Sequence, residues 1–378
     1  MRYKILIYII IISFVNSFLF GQKDWGKIIK NHTTPKAFAE VYYGLNVINP
    51  GDSQRPDFFF NHKNLDEIGL NSAIFGFDFD YRRVRSSISF IAGNYATFNL
   101  SAEPRGLNNI YEANFGYKVL KHHDLWLDIG VMESNLGFES VISTTTNAMT
   151  RSLLAENSPY YLNAAKLGYT TFDERWKFEL LVSNGWQTMT NGNLSFGHTI
   201  QFHPNKRWTL NSSSFIGKIV QPIFPGSNNI ANYNRLFHNF YFQRETEKST
   251  ITVGFDAGVD IGEINNFTRS WRAFIGQYAH KLSEKLTVIF RGEYFSDPSE
   301  TVAVLPGVGA VDAFGFSINT DYQIHEIIHF RLEARYIYNT PPTPPAIGPP
   351  IGIDPLLGFR QEYLFLGTSL SIDLWNHN

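Results

Sequence analysis

The stretch Ile74-Phe75-Gly76-Phe77-Asp78-Phe79-Asp80-Tyr81 decides the fold. Phe75, Phe77, Phe79 and Tyr81 fall on one face of an extended chain, and Gly76, Asp78 and Asp80 fall on the other. Side chains alternate with a period of two along a strand, so this is a strand with one apolar face. The design recurs further on. Ile328, Phe330, Leu332, Ala334 and Tyr336 alternate with His329, Arg331, Glu333 and Arg335. Leu364, Leu366, Leu370, Ile372 and Leu374 alternate with Gly367, Ser369, Ser371 and Asp373. In a soluble sandwich the charged face would meet the surrounding water. In a transmembrane barrel it would look into a wet lumen while the apolar face meets lipid. Alternation alone does not separate the two.

Connection lengths do. Strands are expected near 37–48, 71–83, 86–98, 109–120, 124–132, 160–172, 176–186, 194–203, 207–217, 234–245, 250–261, 269–281, 285–296, 311–323, 327–338 and 361–375. Tight turns such as Arg83-Val84-Arg85, Lys121-His122-His123 and Asp173-Glu174-Arg175 alternate with longer loops such as 49–70, 133–159 and 339–360. Short turns at one end and long loops at the other are the pattern of outer-membrane barrels, and an even strand number puts both chain ends on the short-turn, periplasmic side. Lipid offers no hydrogen-bond partners, so a wall of strands must close on itself. The expected fold class is all-β, a transmembrane antiparallel β-barrel of about sixteen strands.

Composition agrees. The chain has 378 residues with 33 Phe, 19 Tyr and 7 Trp, more aromatic side chains than a soluble core of this size needs. Tyr42, Tyr43, Trp126, Tyr160, Tyr161, Trp176, Trp186, Trp208, Tyr241, Trp271, Tyr294, Tyr336, Tyr338 and Trp375 stand near strand ends, where interfacial aromatic girdles form. A mean hydropathy of −0.17 argues against a bundle of membrane helices. Cysteine is absent, which excludes a disulfide scaffold, a cysteine-based zinc site and a cysteine nucleophile. The formal net charge of −2 gives no electrostatic case for nucleic acid as a partner.

Three segments are expected. Arg2 and Lys4 precede the apolar run Ile5 to Phe20, and Gly21-Gln22 offers a cleavage point; residues 1–21 read as a secretory signal peptide. Residues 22–36, with Lys23, Lys27, Lys30 and Lys36 around Trp25, form a short periplasmic segment or an interior plug. Residues 37–378 form the barrel, placed in the outer membrane of a Gram-negative bacterium.

The middle of the chain carries a family resemblance. Glu133-Ser134-Asn135-Leu136-Gly137-Phe138-Glu139-Ser140 is followed by Thr150-Arg151-Ser152-Leu153, then Asn157-Ser158-Pro159-Tyr160-Tyr161, Lys166-Leu167-Gly168-Tyr169 and Val182-Ser183-Asn184-Gly185-Trp186-Gln187. This order resembles the OmpL-like β-barrel porins of Gram-negative bacteria, especially Bacteroidetes. The resemblance implies an outer-membrane channel and names no solute.

A barrel of this size is wide enough for an aqueous channel. The loop 133–159 is the longest and the third on the long-loop side. By analogy with general porins, whose third loop folds inward, Glu133, Glu139, Arg151 and Glu156 are candidates for a constriction. The alternative leaves them solvated on the rim. Asp78, Asp80, Arg82, Lys177, Glu179, Arg291, Glu293, Arg331, Glu333 and Arg335 fall on polar strand faces and are candidates for the pore wall. Lipid-facing Lys or Arg would cost about 2–4 kcal/mol at mid-bilayer, so inward placement is favoured. Such ladders would otherwise only stiffen the wall. Loop 339–360 holds Pro341, Pro342, Pro344, Pro345, Pro349, Pro350 and Pro355, enough to favour stiff polyproline segments.

Motifs of chemistry are missing: there is no His-Glu-x-x-His and no Gly-x-Ser-x-Gly. Arg269-Ser270-Trp271 has no accompanying His-x-Ser to make a hydrolase. The expectation is a non-enzymatic porin, without metal or cofactor, passing small hydrophilic solutes. The alternative is a non-conducting barrel serving as an anchor or assembly partner. Expected partners are outer-membrane lipid, the solutes and, by analogy with general porins, further copies of the chain.

Overall fold

The computed structural model describes residues 25–56, 58–190, 192–222, 230–263, 267–303, 310–340 and 362–375. The expected signal peptide, Lys23 and the proline-rich part of loop 339–360 lie outside the described residues. A helix α1 (Trp25–His32) leads into sixteen strands: β1 (Thr33–Asn46), β2 (Ile68–Tyr81), β3 (Val84–Ala92), β4 (Ile110–Lys118), β5 (Asp124–Glu133), β6 (Tyr161–Thr170), β7 (Trp176–Ser183), β8 (Ser195–Phe202), β9 (Trp208–Pro222), β10 (Ile230–Glu245), β11 (Ser249–Gly262), β12 (Thr268–Lys281), β13 (Leu286–Asp297), β14 (Val311–His325), β15 (Ile328–Asn339) and β16 (Glu362–Asp373). Each pairs antiparallel with its sequence neighbours, and β1 closes the ring on β16, with Phe38 opposite Asp373 and Asn46 opposite Phe365. Closure leaves no strand edge unpaired.

All sixteen expected strands are present, with shifted ends. β1 begins at Thr33 rather than 37, so Lys36 belongs to the wall. The β2–β3 turn is Arg82-Arg83, and Val84 and Arg85 already belong to β3. Arg82 is therefore corrected: it sits exposed in that turn with φ 62°, stacked on Tyr81, and not on the wall. β3 stops at Ala92, well before the expected residue 98. Gly93 follows with φ 112°, and a Cβ there would lie 2.7 Å from the Asn71 carbonyl oxygen. Only glycine fits this reversal, which starts α2 (Asn94–Asn99).

The faces sort as the alternation requires. Phe75 and Phe77 are exposed on the outer surface, while Ser72 and Ile74 are buried inside. The aromatic expectation splits. Tyr43, Trp176 and Tyr338 are exposed, as a girdle requires. Tyr42, Tyr160, Tyr161, Tyr241 and Trp271 are instead buried, and Trp186 packs edge-on against Phe215, Phe237 and Trp271. Tyr241 meets Phe138 of the third long loop; the other rings belong to apolar clusters inside the barrel, at its long-loop end. One joins Phe58, Phe59, Leu153, Leu154, Phe237 and Trp271. The other joins Phe38, Tyr95, Leu100, Ile142, Tyr160 and Met189. Each side chain so buried contributes about 1.5–3 kcal/mol, which is what draws the long loops inward.

At the other end α1 buries none of its residues. His32 meets Tyr81, at the turn end of β2, edge-on at 4.8 Å.

Candidate functional site

The lumen near the short turns of β2 to β7 is polar. Lys36 Nζ lies 2.8 Å from Asp78 and 2.6 Å from Glu112. Arg85 donates two hydrogen bonds to Asp128, at 2.8 and 2.6 Å. Glu179 receives Lys177 at 3.0 Å and Lys166 at 3.5 Å. Asp78, Asp80, Arg85, Glu112, Asp128 and Lys166 line a cavity of about 460 Å³. Asp78 is 47% exposed and Arg85 41%, so these pairs are wet. Wet ion pairs hold one another only weakly and leave charge to act on a passing solute.

The opposite wall is dry. The loop joining β5 to β6, residues 134–160 and hereafter L3, crosses the lumen; β5 and β13 stand half a circuit apart in the ring. L3 docks on charged side chains of β13 and β15. Arg291 donates to the Thr150 carbonyl at 2.6 Å and to Glu333 at 2.6 Å. Glu333 accepts the Thr150 amide at 2.8 Å, and Glu293 accepts the Leu153 amide at 2.7 Å. Arg335 donates to Glu293 at 2.8 Å and to the Arg151 carbonyl at 2.9 Å. Arg331 donates to the Ser143 carbonyl at 2.5 Å and to Asp321 at 2.6 Å. Ser143 and Thr144 add bonds to Glu40 of β1 at 2.8 Å and to Asp373 of β16 at 2.5 Å. Within L3, Ser152 caps the short helix α3 (Leu153–Glu156) by accepting the Ala155 amide at 3.1 Å. Loop amides and carbonyls that would be stranded in the interior thus find charged partners, the only affordable way to bury either.

Between the wet wall and the dry one lies a smaller cavity of about 200 Å³, lined by Glu133, Glu139, Ser140, Arg151 and Tyr160 among others. Glu133 lines both cavities; its carboxylate accepts from Ser140 at 2.9 Å and from the Tyr111 hydroxyl. Glu139 accepts the Ser152 amide at 2.8 Å and Gln277 at 3.1 Å. Burial pushes its carboxyl up, partly offset by the charge of Arg291. Arg151 stacks on the Tyr160 ring at 3.8 Å and donates to the Ala155 carbonyl at 3.2 Å.

The fourth expected constriction residue, Glu156, is corrected. It is 2% exposed and accepts from the Phe60 amide, Asn61 and the Tyr160 hydroxyl, so it ties the β1–β2 loop to L3. Among the expected wall residues, Asp78, Asp80 and Lys177 face the lumen on the wet side, whereas Glu179, 3% exposed, is covered by Lys177 and Lys166. Arg291, Glu293, Arg331, Glu333 and Arg335 also point inward, but all are at most 4% exposed and spend their bonds on L3 and on one another. They position the loop. Five polar lumen residues escaped sequence reasoning. Glu112, Asp128 and Lys166 were within reach of the period-two rule, alternating with Phe115, Ile129 and Leu167. Lys36 and Arg85 were lost because their strands begin earlier than the turn residues suggest.

A closed sixteen-stranded antiparallel barrel, apolar outside and charged within, with an inward third loop, is the architecture of an outer-membrane porin. The family described as "Putative beta-barrel porin-2, OmpL-like" matches residues 33–349, and the chain belongs to it. No curated protein matches. Solved structures are similar in fold. OmpT of Vibrio cholerae, folded in vitro and in its trimer form, has a TM-score of 0.58 at 10% identity, over 90% of this chain and 99% of that one. An anion-selective porin from Comamonas acidovorans has 0.57 at 8% identity, over 90% and 99%. OmpF of Salmonella typhi, in complex with daunomycin, has 0.54 at 8% identity, over 90% and 97%.

Proposed function

We propose that this porin-family barrel is a water-filled outer-membrane channel through which small hydrophilic solutes diffuse passively. The observation that carries the reading is the continuity of polar surface: Glu133 lines both the wet cavity of β2 to β7 and the small cavity against L3. A solute entering from the periplasmic side meets Asp78, Asp80 and Lys177 first and then a throat formed by Glu133, Glu139 and Arg151. Both signs line this path, so it sorts solutes by dipole and size more than by net charge. Export through a cleaved signal peptide of residues 1–21, with α1 at the periplasmic mouth, belongs to the same proposal, and the channel runs no chemistry.

Single-channel recording in a planar bilayer tests it. Conductance steps that scale with bulk salt are expected. A second reading, a non-conducting barrel, is favoured by the apolar clusters that fill the long-loop end. Silence from protein that is folded and inserted would select it.

A further inference from the structure

The outer surface breaks its own rule on three adjacent strands. His198 of β8, Ser214 of β9 and His238 of β10 stand directly opposite one another in register, in one row across the wall. They share the outward face with Phe196, Ile216, Leu236 and Phe240, all exposed. His238 is at mid-strand, eight residues from Ile230 and seven from Glu245. Ser212 stands beside them. Ser214 Oγ meets His198 Nδ1 at 2.7 Å, and Ser212 Oγ meets His238 Nε2 at 3.5 Å. The second nitrogen of each imidazole has no partner among the described residues. Elsewhere the middle of the outer face is built of side chains such as Phe75, Leu180, Phe290, Phe316 and Leu332, all exposed.

Hydrocarbon cannot satisfy these groups, and a polar group left there is costly. At mid-depth neither water nor a lipid headgroup reaches them. The partner must itself cross the membrane and carry hydrogen-bonding side chains at the same level. We propose that the β8–β10 face binds a second copy of this chain about a two-fold axis beside Ser214.

This patch supplies what such a contact needs. It holds both donors and acceptors, so it complements itself, as a two-fold interface must. An axis beside Ser214 sets the His198 side of one copy against the His238 side of the other. Small residues admit close approach: a recess of about 350 Å³ opens beside His238, lined in part by Ser214, Ile216 and Ala257. The contact rests on reading the barrel as membrane-spanning, but not on its conducting.

The chain has no cysteine, so single-cysteine variants report without background. Ser214→Cys, expressed in outer membranes and mildly oxidised, is expected to give a disulfide-linked dimer. Leu332→Cys on β15 is expected to stay monomeric. Adding His198→Leu and His238→Leu to Ser214→Cys is expected to remove most of the dimer. The proposal is overturned if folded Ser214→Cys stays monomeric, if Leu332→Cys cross-links as well, or if the double replacement leaves the dimer intact. Linkage to a protein of different mass alone would also overturn it. Folding is scored in each case by the mobility of the unheated barrel. Failure to fractionate with membranes would instead undo the membrane-spanning reading.

Discussion

Two side chains show how differently a charge acts on the two sides of this lumen. Arg335 is fully buried and divides its donors between Glu293, Thr150 and the Arg151 carbonyl. Replacing it by Met leaves buried acceptors unmatched. Arg335→Met is expected to cost about 3–5 kcal/mol in urea unfolding of the refolded barrel and to loosen L3, seen as noisier conductance. Glu139 is a loop carboxyl whose value burial holds above the ordinary 4.5. A raised carboxyl favours its protonated form in the fold. Its contribution to stability is therefore present at low pH and declines as pH rises from the ordinary value through the raised one. In the proposed channel the same titration removes a negative charge on acidification, at a pH above the carboxyl's ordinary value. Reversal potential against pH in a salt gradient is expected to show that step, with cation preference falling as pH falls. Glu139→Gln is expected to abolish it.

At the scale of the element, L3 behaves as a separate part bolted to the far wall. Removing residues 143–152 takes away its contacts with Arg291, Arg331 and Arg335 while leaving every strand whole. The variant is expected to insert normally and to conduct several-fold more, read as single-channel step size. β11 offers a contrasting test. The Trp271 ring packs against Gly258, where a Cβ would come within 2.1 Å of it. Gly258→Val must drive Trp271 away from Phe237 and Trp186, at about 1–3 kcal/mol, measurable as a lower unfolding midpoint. Strands were legible because their signal is local: Phe75, Phe77 and Asp78 declare their faces within a few residues. The inward docking of L3 was legible only by analogy, since the bonds that place Thr150 and Leu153 reach 140 residues or more along the chain. Nothing in L3 itself distinguishes Glu139, which faces the small cavity, from Glu156, which is sealed beneath the first loop.

For the whole molecule, the decisive asymmetry is between the outer and inner surfaces. Phe290 on β13 is 49% exposed, on the outer face. Phe290→Lys is expected to weaken bilayer folding by about 2–4 kcal/mol, the mid-membrane cost of a lipid-facing cation, whereas a lysine at inward Asn114 is expected to change folding little. Titrating refolding yield against urea measures both. Conductance, throat selectivity and lipid-face tolerance thus probe three surfaces of one wall.

L3 also has a place in time. It emerges during synthesis well before Arg291, Glu333 and Arg335, its partners on β13 and β15, and long-range pairings of this kind form late. Until those strands exist, the segment 134–160 has nothing to dock on, and until β16 exists β1 has no neighbour on its other side. A chain stalled before its last four strands therefore lacks its seam and the footing of L3 together, so the tube and the loop that crosses it are completed by the same closing stretch of polypeptide.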